Sequence, residues 1–134
     1  MSTVADAPLY GRTYQQFVAY LQEPGEIAPV LSPKQYVAAL KIDLQDLADQ
    51  AHIHRSTIVH APHSKAVQDY MRQMLRVIKA AVDLNGDDVY NALFWYRNEP
   101  LTPFDYKTAE TLVADRRADD VVRFLTSLQA GAAG

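Results

Sequence analysis

The longest periodic apolar run of the sequence lies between Ser64 and Leu84. Its apolar residues recur at intervals of three or four positions: Val67, Met71, Met74, Ile78 and Ala81. In an α-helix this spacing places side chains on one face, so the run predicts a helix of about five turns. Asn85-Gly86 tolerates the left-handed backbone that ends a helix. A stripe of this length must be covered by other elements, and we therefore expect this helix to be the centre of the fold.

Shorter helices are predicted by residues that cap a helix N-terminus. A capping side chain accepts a hydrogen bond from one of the free backbone N–H groups of the first turn. Candidate caps precede apolar helical patterns at Thr13, Ser32, Asp43, Asp87, Thr108 and Asp119. A further short helix is expected to begin near Arg55 and to end before Pro62. The sequence contains no alternating, β-branched run of strand length, so the predicted fold class is all-α.

The composition narrows the classes of function. At 134 residues, 49% of them apolar, the chain is long enough for one folded domain. It has no cysteine, which excludes disulfides and thiolate metal sites. A net charge of −3 disfavours broad, nonspecific binding to nucleic acid, so any contact with DNA must be local. No segment approaches the ~18 apolar residues of a membrane span, and we expect a soluble, cytoplasmic protein with no membrane partner.

Residues 44–63 carry the pattern of a helix-turn-helix. Two helices that cross at a tight turn need small or apolar side chains where they meet. The positions expected to fill this contact are Leu47, Ala48, Ala51, Ile53, Ile58 and Ala61. The second helix then presents its N-terminal residues outward, as recognition helices do toward base edges and phosphates. The candidate DNA-binding residues are therefore Arg55, Ser56, Thr57 and His60.

Two features of the same segment oppose DNA binding. His52 stands at the turn position that glycine usually fills, so it must accept a left-handed backbone or a different turn. Asp43, Asp46 and Asp49 place negative charge on the first helix, near the expected path of the phosphates. A helix-turn-helix that serves only as a packing module therefore remains an alternative.

The four histidines lie within a span of twelve residues, at positions 52, 54, 60 and 63. Imidazole is a common metal ligand, but these spacings match no paired-ligand helix, and no carboxylate completes a site in sequence. We therefore expect no metal and no cofactor. The sequence also lacks a Gly-rich phosphate loop and a nucleophile elbow. Capping explains the carboxylate pairs that precede apolar runs, so no enzymatic activity is expected.

Two groups near the C-terminus are candidates for binding a partner protein. Adjacent aromatic residues Phe94, Trp95 and Tyr96 cannot all share one helix face. If Tyr96 lies on the buried stripe, Phe94 or Trp95 is left to cover a neighbouring element or a partner. The second group is Arg116, Arg117 and Arg123, which form either a solvated face or anchors for an acidic pocket.

The C-terminal block resembles the toxin-binding domain shared by MbcA, ParS and Xre antitoxins. The likeness rests on a Trp-containing helix, the turn Asn98-Glu99-Pro100-Leu101, an aromatic at Phe104, the stretch Lys107-Thr108-Ala109-Glu110-Thr111-Leu112, an arginine turn and residues Val121 to Leu125. The upstream stretch DLADQAHIHRSTIV is similar to the Xre-type helix-turn-helix that accompanies this domain. The resemblance covers residues 32–131. The chain departs from the family pattern at Tyr106 and Arg116, where glycine is favoured, and at Ala109, where proline is favoured.

The resemblance implies an all-α antitoxin that binds a RES-domain toxin, an NAD-degrading enzyme, and blocks its active site. It also implies repression of the operon as a dimer, so operator DNA and a homodimer or a hetero-oligomer with toxin are expected. Trp95, Arg116, Arg117 and Arg123 are the residues expected to bind toxin. The organisation expected is an extension with a short helix at 1–31, a helix-turn-helix with the long connecting helix at 32–84, and the toxin-binding domain at 85–134.

Two alternatives to an antitoxin remain open. In the first, the same fold serves as a stand-alone helical adaptor, or as a transcriptional regulator with a different protein partner. In the second, the chain is a histidine-dependent metal protein, for which the sequence offers only the histidine cluster.

Overall fold

The structure is a computed structural model, which describes residues 10–25 and 29–133. These residues form eight α-helices and a short 3₁₀ turn at Thr102–Phe104, which are joined by turns and loops. The helices are α1 (Tyr14–Leu21), α2 (Pro33–Leu40), α3 (Leu44–Ala51), α4 (Arg55–His60), α5 (Lys65–Asn85), α6 (Val89–Asn98), α7 (Ala109–Ala114) and α8 (Ala118–Ala133). Among the described residues there are isolated β-bridges but no strand. The all-α prediction is confirmed for this part of the chain.

Four of the eight helices begin at predicted caps. Thr13 and Gln16 form a reciprocal capping box at α1, and Asp43 and Asp46 form another at α3. The side chains of Ser32 and Thr108 cap α2 and α7. These bonds satisfy backbone donors that a helix start leaves free, so short-range spacing in the sequence was sufficient to place them.

Two predicted caps were wrong. Asp88, not Asp87, caps α6, because Asp87 adopts a left-handed backbone (φ 62°) and its carboxylate accepts a hydrogen bond from the N–H of Tyr14. α8 already begins at Ala118, so Asp119 lies inside its first turn. Asp119 instead forms an ion pair with Arg76 of α5 at 2.6 Å. In both cases a contact distant in sequence uses the carboxylate that the local pattern assigned to capping.

The long helix α5 is the centre of the core, as its apolar stripe predicts. Its stripe residues Val67, Met71, Met74, Ile78 and Ala81 are all buried. α6 and α8 pack along it, and α1 and α7 also contact it. Gly86 ends the helix in the left-handed conformation (φ 84°). The buried side chains form one cluster that runs from Phe17 of α1 to Leu125 of α8.

No helix in residues 10–25 and 29–133 combines the length and the apolar character needed to cross a membrane.

Three tyrosines from α2, α5 and α6 meet inside the core. Tyr36 and Tyr96 are completely buried, and the ring of Tyr70 contacts that of Tyr36 edge-on at 6.4 Å. The Tyr70 hydroxyl donates to Gln50 Oε1 at 3.2 Å, whereas the hydroxyls of Tyr36 and Tyr96 have no hydrogen-bond partner among the described residues. Burial raises the pKa of Tyr36 and of Tyr96 well above the usual value. An unpaired buried hydroxyl destabilises the folded state.

We therefore expect Tyr36→Phe to raise the free energy of unfolding by about 1 kcal/mol at neutral pH, since it removes the unpaired hydroxyl. Tyr70→Phe is the control, and it should lower that energy by about 1 kcal/mol because Gln50 loses its donor. The buried phenol keeps its proton above pH ~10, where the unfolded chain releases it. Stability should thus fall as the pH rises above ~10, less steeply in Tyr36→Phe. Urea denaturation at several pH values measures both effects; destabilisation by Tyr36→Phe at neutral pH would contradict the assignment.

Candidate functional site

Five of the six residues predicted to fill the contact between α3 and α4 are buried or partly buried. Leu47, Ala48, Ala51 and Ile58 are buried, and Ile53 is partly buried in the turn. The N–H of Ile53 donates to the carbonyl of Ala48 at 3.0 Å, which closes the turn. Ala61 is exposed rather than turned toward α3, because α4 ends at His60 and the backbone at position 61 is no longer helical.

His52 accepts the left-handed backbone that the turn requires. Its φ is 58° and its ψ is 44°, and its N–H bonds the end of α3. The ring compensates for some of the strain, since Nε2–H donates to the carbonyl of Ala114, at the end of α7, at 3.0 Å. The side chain of His52 therefore connects the turn of the helix pair to the C-terminal part of the molecule, which a glycine at this position could not do.

The predicted DNA-binding residues lie together on α4. Arg55, Ser56 and His60 are exposed, and Thr57 is half-buried. α4 has six residues and is thus only about 9 Å long. Three of the four predicted side chains are accessible on this short helix, which is compatible with a local contact and not with a long groove-filling one.

The aspartates at the start of α3 and within it differ in how strongly they would repel a bound phosphate. Asp43 and Asp46 bind each other's backbone N–H in the capping box. Asp49 accepts a hydrogen bond from Gln45 at 2.9 Å and lines the same shallow groove as Arg55 and Ser56. Asp49 is therefore the carboxylate that a bound phosphate would approach most closely.

Ion pairing separates the arginines into two groups. Within residues 10–25 and 29–133, every arginine except Arg55 and Arg116 lies within ion-pairing distance of a carboxylate. Arg55 begins α4, and Arg116 lies in the turn between α7 and α8. Both residues are among the sites predicted from sequence, one for DNA and one for toxin. An unpaired guanidinium is available to bind an anion of a partner without first breaking a bond within the chain.

The other two predicted toxin-binding arginines are engaged within the chain. Arg117 Nε pairs with Asp120 at 2.9 Å, and its guanidinium lies 5.2 Å from the ring centre of Phe104. Arg123 is 3.8 Å from the other oxygen of Asp120. Phe104 in turn contacts Phe124 of α8 edge-on. Asp120 therefore gathers Arg117 and Arg123 into one surface cluster, from which Arg116 is separate.

The aromatic residues of α6 divide between core and surface. Tyr96 is buried and Trp95 is partly buried against the core, whereas Phe94 is 67% exposed. Tyr90, one turn before Phe94, is also exposed. Among the described residues, no hydrogen bond, ion pair or ring contact joins Trp95 to the three predicted arginines. The sequence pattern left Phe94 and Trp95 as alternatives, and the structure places Phe94 outward.

Tyr106 is a further exposed residue that sequence reasoning did not assign to a site. It is 69% exposed and has a left-handed backbone (φ 65°). Its N–H donates to the carbonyl of Leu101 at 2.9 Å, which fixes the turn before α7. The sequence offered one signal of this: the family that the chain resembles favours glycine at this position. A large apolar side chain on strained, exposed backbone has no packing role that would explain it.

A polar network joins the helix pair to the C-terminal helices. Glu110 of α7 is mostly buried and pairs with Arg97 of α6 at 3.3 Å. Gln50 of α3 donates to the same carboxylate at 3.4 Å and accepts from Tyr70. Arg97 also donates to the carbonyl of Leu40 at the end of α2. Five helices thus share one hydrogen-bond network, in which the bonds of Arg97 and Glu110 are charge-assisted and the bond from Tyr70 to Gln50 is neutral, and this network fixes the helix pair relative to α6 and α7.

In the described ranges, no group of three His, Asp or Glu side chains is arranged to hold a metal ion. Comparisons with protein-family models, with curated proteins and with solved structures each give no match.

We expect Tyr106→Gly to raise the free energy of unfolding by about 1 kcal/mol, because glycine adopts a positive φ without steric cost. Tyr106→Ala is the matched control: it removes the same ring but keeps the Cβ that causes the strain. Alanine should change stability by less than about 0.5 kcal/mol. Urea denaturation compares the three proteins. Equal effects of the two substitutions would show that the backbone at this position is not strained.

Proposed function

We propose that this chain is an antitoxin of the MbcA, ParS and Xre type, which binds and masks a RES-domain, NAD-degrading toxin. The observation that carries the proposal is the pair of arginines that have no acidic partner among residues 10–25 and 29–133, Arg55 on α4 and Arg116 beside α8. They lie in the two segments that resemble the DNA-reading and toxin-binding parts of such antitoxins. We further propose that it acts in the cytoplasm, as a homodimer or as a hetero-oligomer with toxin.

Exposed aromatic residues support binding to a protein. Tyr90, Phe94 and Tyr106 are large apolar side chains open to solvent in the segment that resembles the toxin-binding domain. Aromatic residues beside arginine are typical of the strongest contacts in protein interfaces. Binding rather than catalysis is also supported by the pairing of carboxylates such as Asp119 with Arg76 and Asp120 with Arg117.

The α4 surface supports operator binding as the second part of the proposal. Arg55 and Ser56 are exposed at the N-terminal end of the helix, where contacts with phosphates and base edges are made in helix-turn-helix proteins. Asp49 beside them supports the alternative, a helical adaptor or regulator whose contacts are with protein. Removal of that carboxylate distinguishes the two functions: DNA binding becomes tighter if α4 contacts the operator, and it does not change if the contacts are with protein.

The toxin-binding part is tested by co-expression with a RES-domain toxin encoded beside this gene. We expect the toxin to co-purify with the wild-type chain and growth to be restored. Phe94→Ser should weaken the complex about 10-fold or more, because an exposed aromatic anchor is lost. Val59→Ser is the control, since Val59 is similarly exposed (51%) but lies on α4. No complex with the wild-type chain, or equal losses in both variants, would contradict the proposed interface.

The DNA-binding part is tested by gel shift with the promoter region of the operon. Arg55→Gln should weaken binding about 10-fold, since it removes a charge that contacts phosphate or guanine. Asp49→Asn should strengthen it, because a carboxylate beside the phosphate path is neutralised. Lys34→Gln is the control, since it removes an exposed charge that lies on α2 and not on the helix pair itself. Unchanged binding in both Arg55→Gln and Asp49→Asn would reject α4 as the DNA-contacting helix and favour the adaptor.

A further inference from the structure

A cleft of about 440 Å³ opens between the end of α3, the first half of α5 and the α7–α8 turn. The apolar part of its lining includes small side chains, with Ala66 on α5 and Val113 and Ala118 on either side of the turn. Polar side chains stand among them, including Asp69, Asp119 and Arg116. Sites for small groups combine apolar walls with a few polar side chains in this way.

Two residues with a left-handed backbone line this cleft. His52 (φ 58°) ends α3, and Arg116 (φ 64°) follows α7. The N–H of Arg116 donates to the carbonyl of Val113, and the N–H of Arg117 donates to that of Leu112, so Arg116 belongs to a turn that ends α7. The ring of His52 donates to the carbonyl of Ala114. Two helix-ending turns, joined by this hydrogen bond, therefore border the cleft.

The charges of the cleft leave one group free. Asp69 pairs with Lys65 and Arg72 of its own helix, and Asp119 pairs with Arg76. Arg116 is the lining cation without a carboxylate partner in the described part of the chain. A ligand that enters the cleft therefore meets one available guanidinium next to two carboxylates that are already neutralised.

We propose that this cleft binds an aspartate or glutamate side chain from an exposed segment of the partner protein, with Arg116 as its planar, two-pronged donor. A carboxylate matches the guanidinium fork and carries a single negative charge. A phosphate monoester carries a charge of about −1.5 to −2 near pH 7, which is more than one guanidinium neutralises. The alanine-lined walls fit small side chains on either side of the acidic residue. The identification of the partner as the toxin rests on the proposed function; the binding chemistry of the cleft does not.

The test uses an acetylated, amidated pentapeptide with glutamate between two alanines on each side, titrated into the full chain and followed by backbone amide NMR. We expect shifts confined to residues around the cleft, such as Ala114 and Ala118. The matched peptide with glutamine should bind at least about 10-fold more weakly, because the charge-assisted bonds are lost. Equal binding of the two peptides, or shifts elsewhere on the molecule, would overturn the proposal. Succinate binding as tightly as the peptide would overturn the assignment to a protein segment.

Variants of the chain identify the donor. Arg116→Gln should weaken binding of the glutamate peptide about 10-fold or more, and Lys34→Gln, which removes an exposed charge on α2, should leave it unchanged. Arg116→Gly should lose the same binding while it keeps the fold, since glycine suits a φ of 64°. Peptide binding by both Arg116 variants at the wild-type level would overturn the role of Arg116.

The same variants separate this inference from the proposed function. If the glutamate peptide binds the cleft but no RES-domain toxin co-purifies, the proposed function fails and the cleft chemistry stands. If the toxin co-purifies equally with wild type and Arg116→Gln, the cleft is not the toxin's binding site and the proposed function stands.

Discussion

The need to cover the apolar side of α5 organises the whole molecule. Met71, Met74 and Ile78 are fully buried on this helix, and they belong to a cluster that also contains Phe17 and Leu125, from opposite ends of the described chain. Because α1, α6, α7 and α8 all contact α5, none of them can bury its apolar face alone. The surfaces that we propose for DNA and for toxin therefore rest on a single core, and damage to that core would affect both.

Local physical chemistry explains which parts of the fold were predictable. Thr13, Asp43 and Thr108 were assigned as caps because their partners lie three residues away, within reach of sequence reasoning. Asp87 and Asp119 failed as caps because Tyr14 and Arg76, remote in sequence, use their carboxylates. The tyrosine cluster and the Glu110 network have the same origin. They depend on helices that meet only after folding, so residue spacing in the sequence does not predict them.

The candidate site shows the same division. The arginines at positions 117 and 123 each lie three residues from Asp120, a helical spacing that already predicts an ion pair. Asp119 stands at the same spacing from Arg116, but Arg116 has a left-handed backbone and Asp119 pairs with Arg76 of α5. The availability of Arg116 therefore depends on a contact distant in sequence, which residue spacing does not predict. The cleft beside it could not be predicted either, since helices distant in sequence form its walls.

The hydrogen bond from His52 to Ala114 has a consequence for communication within the molecule. The bond ties the elbow of the helix pair to the end of α7, and the Glu110 network fastens the same two parts a second time. A hinge between them would have to break both fastenings at once. Two macromolecules bound to these two parts would thus affect each other through steric overlap or charge, and not through a change in the angle between the parts.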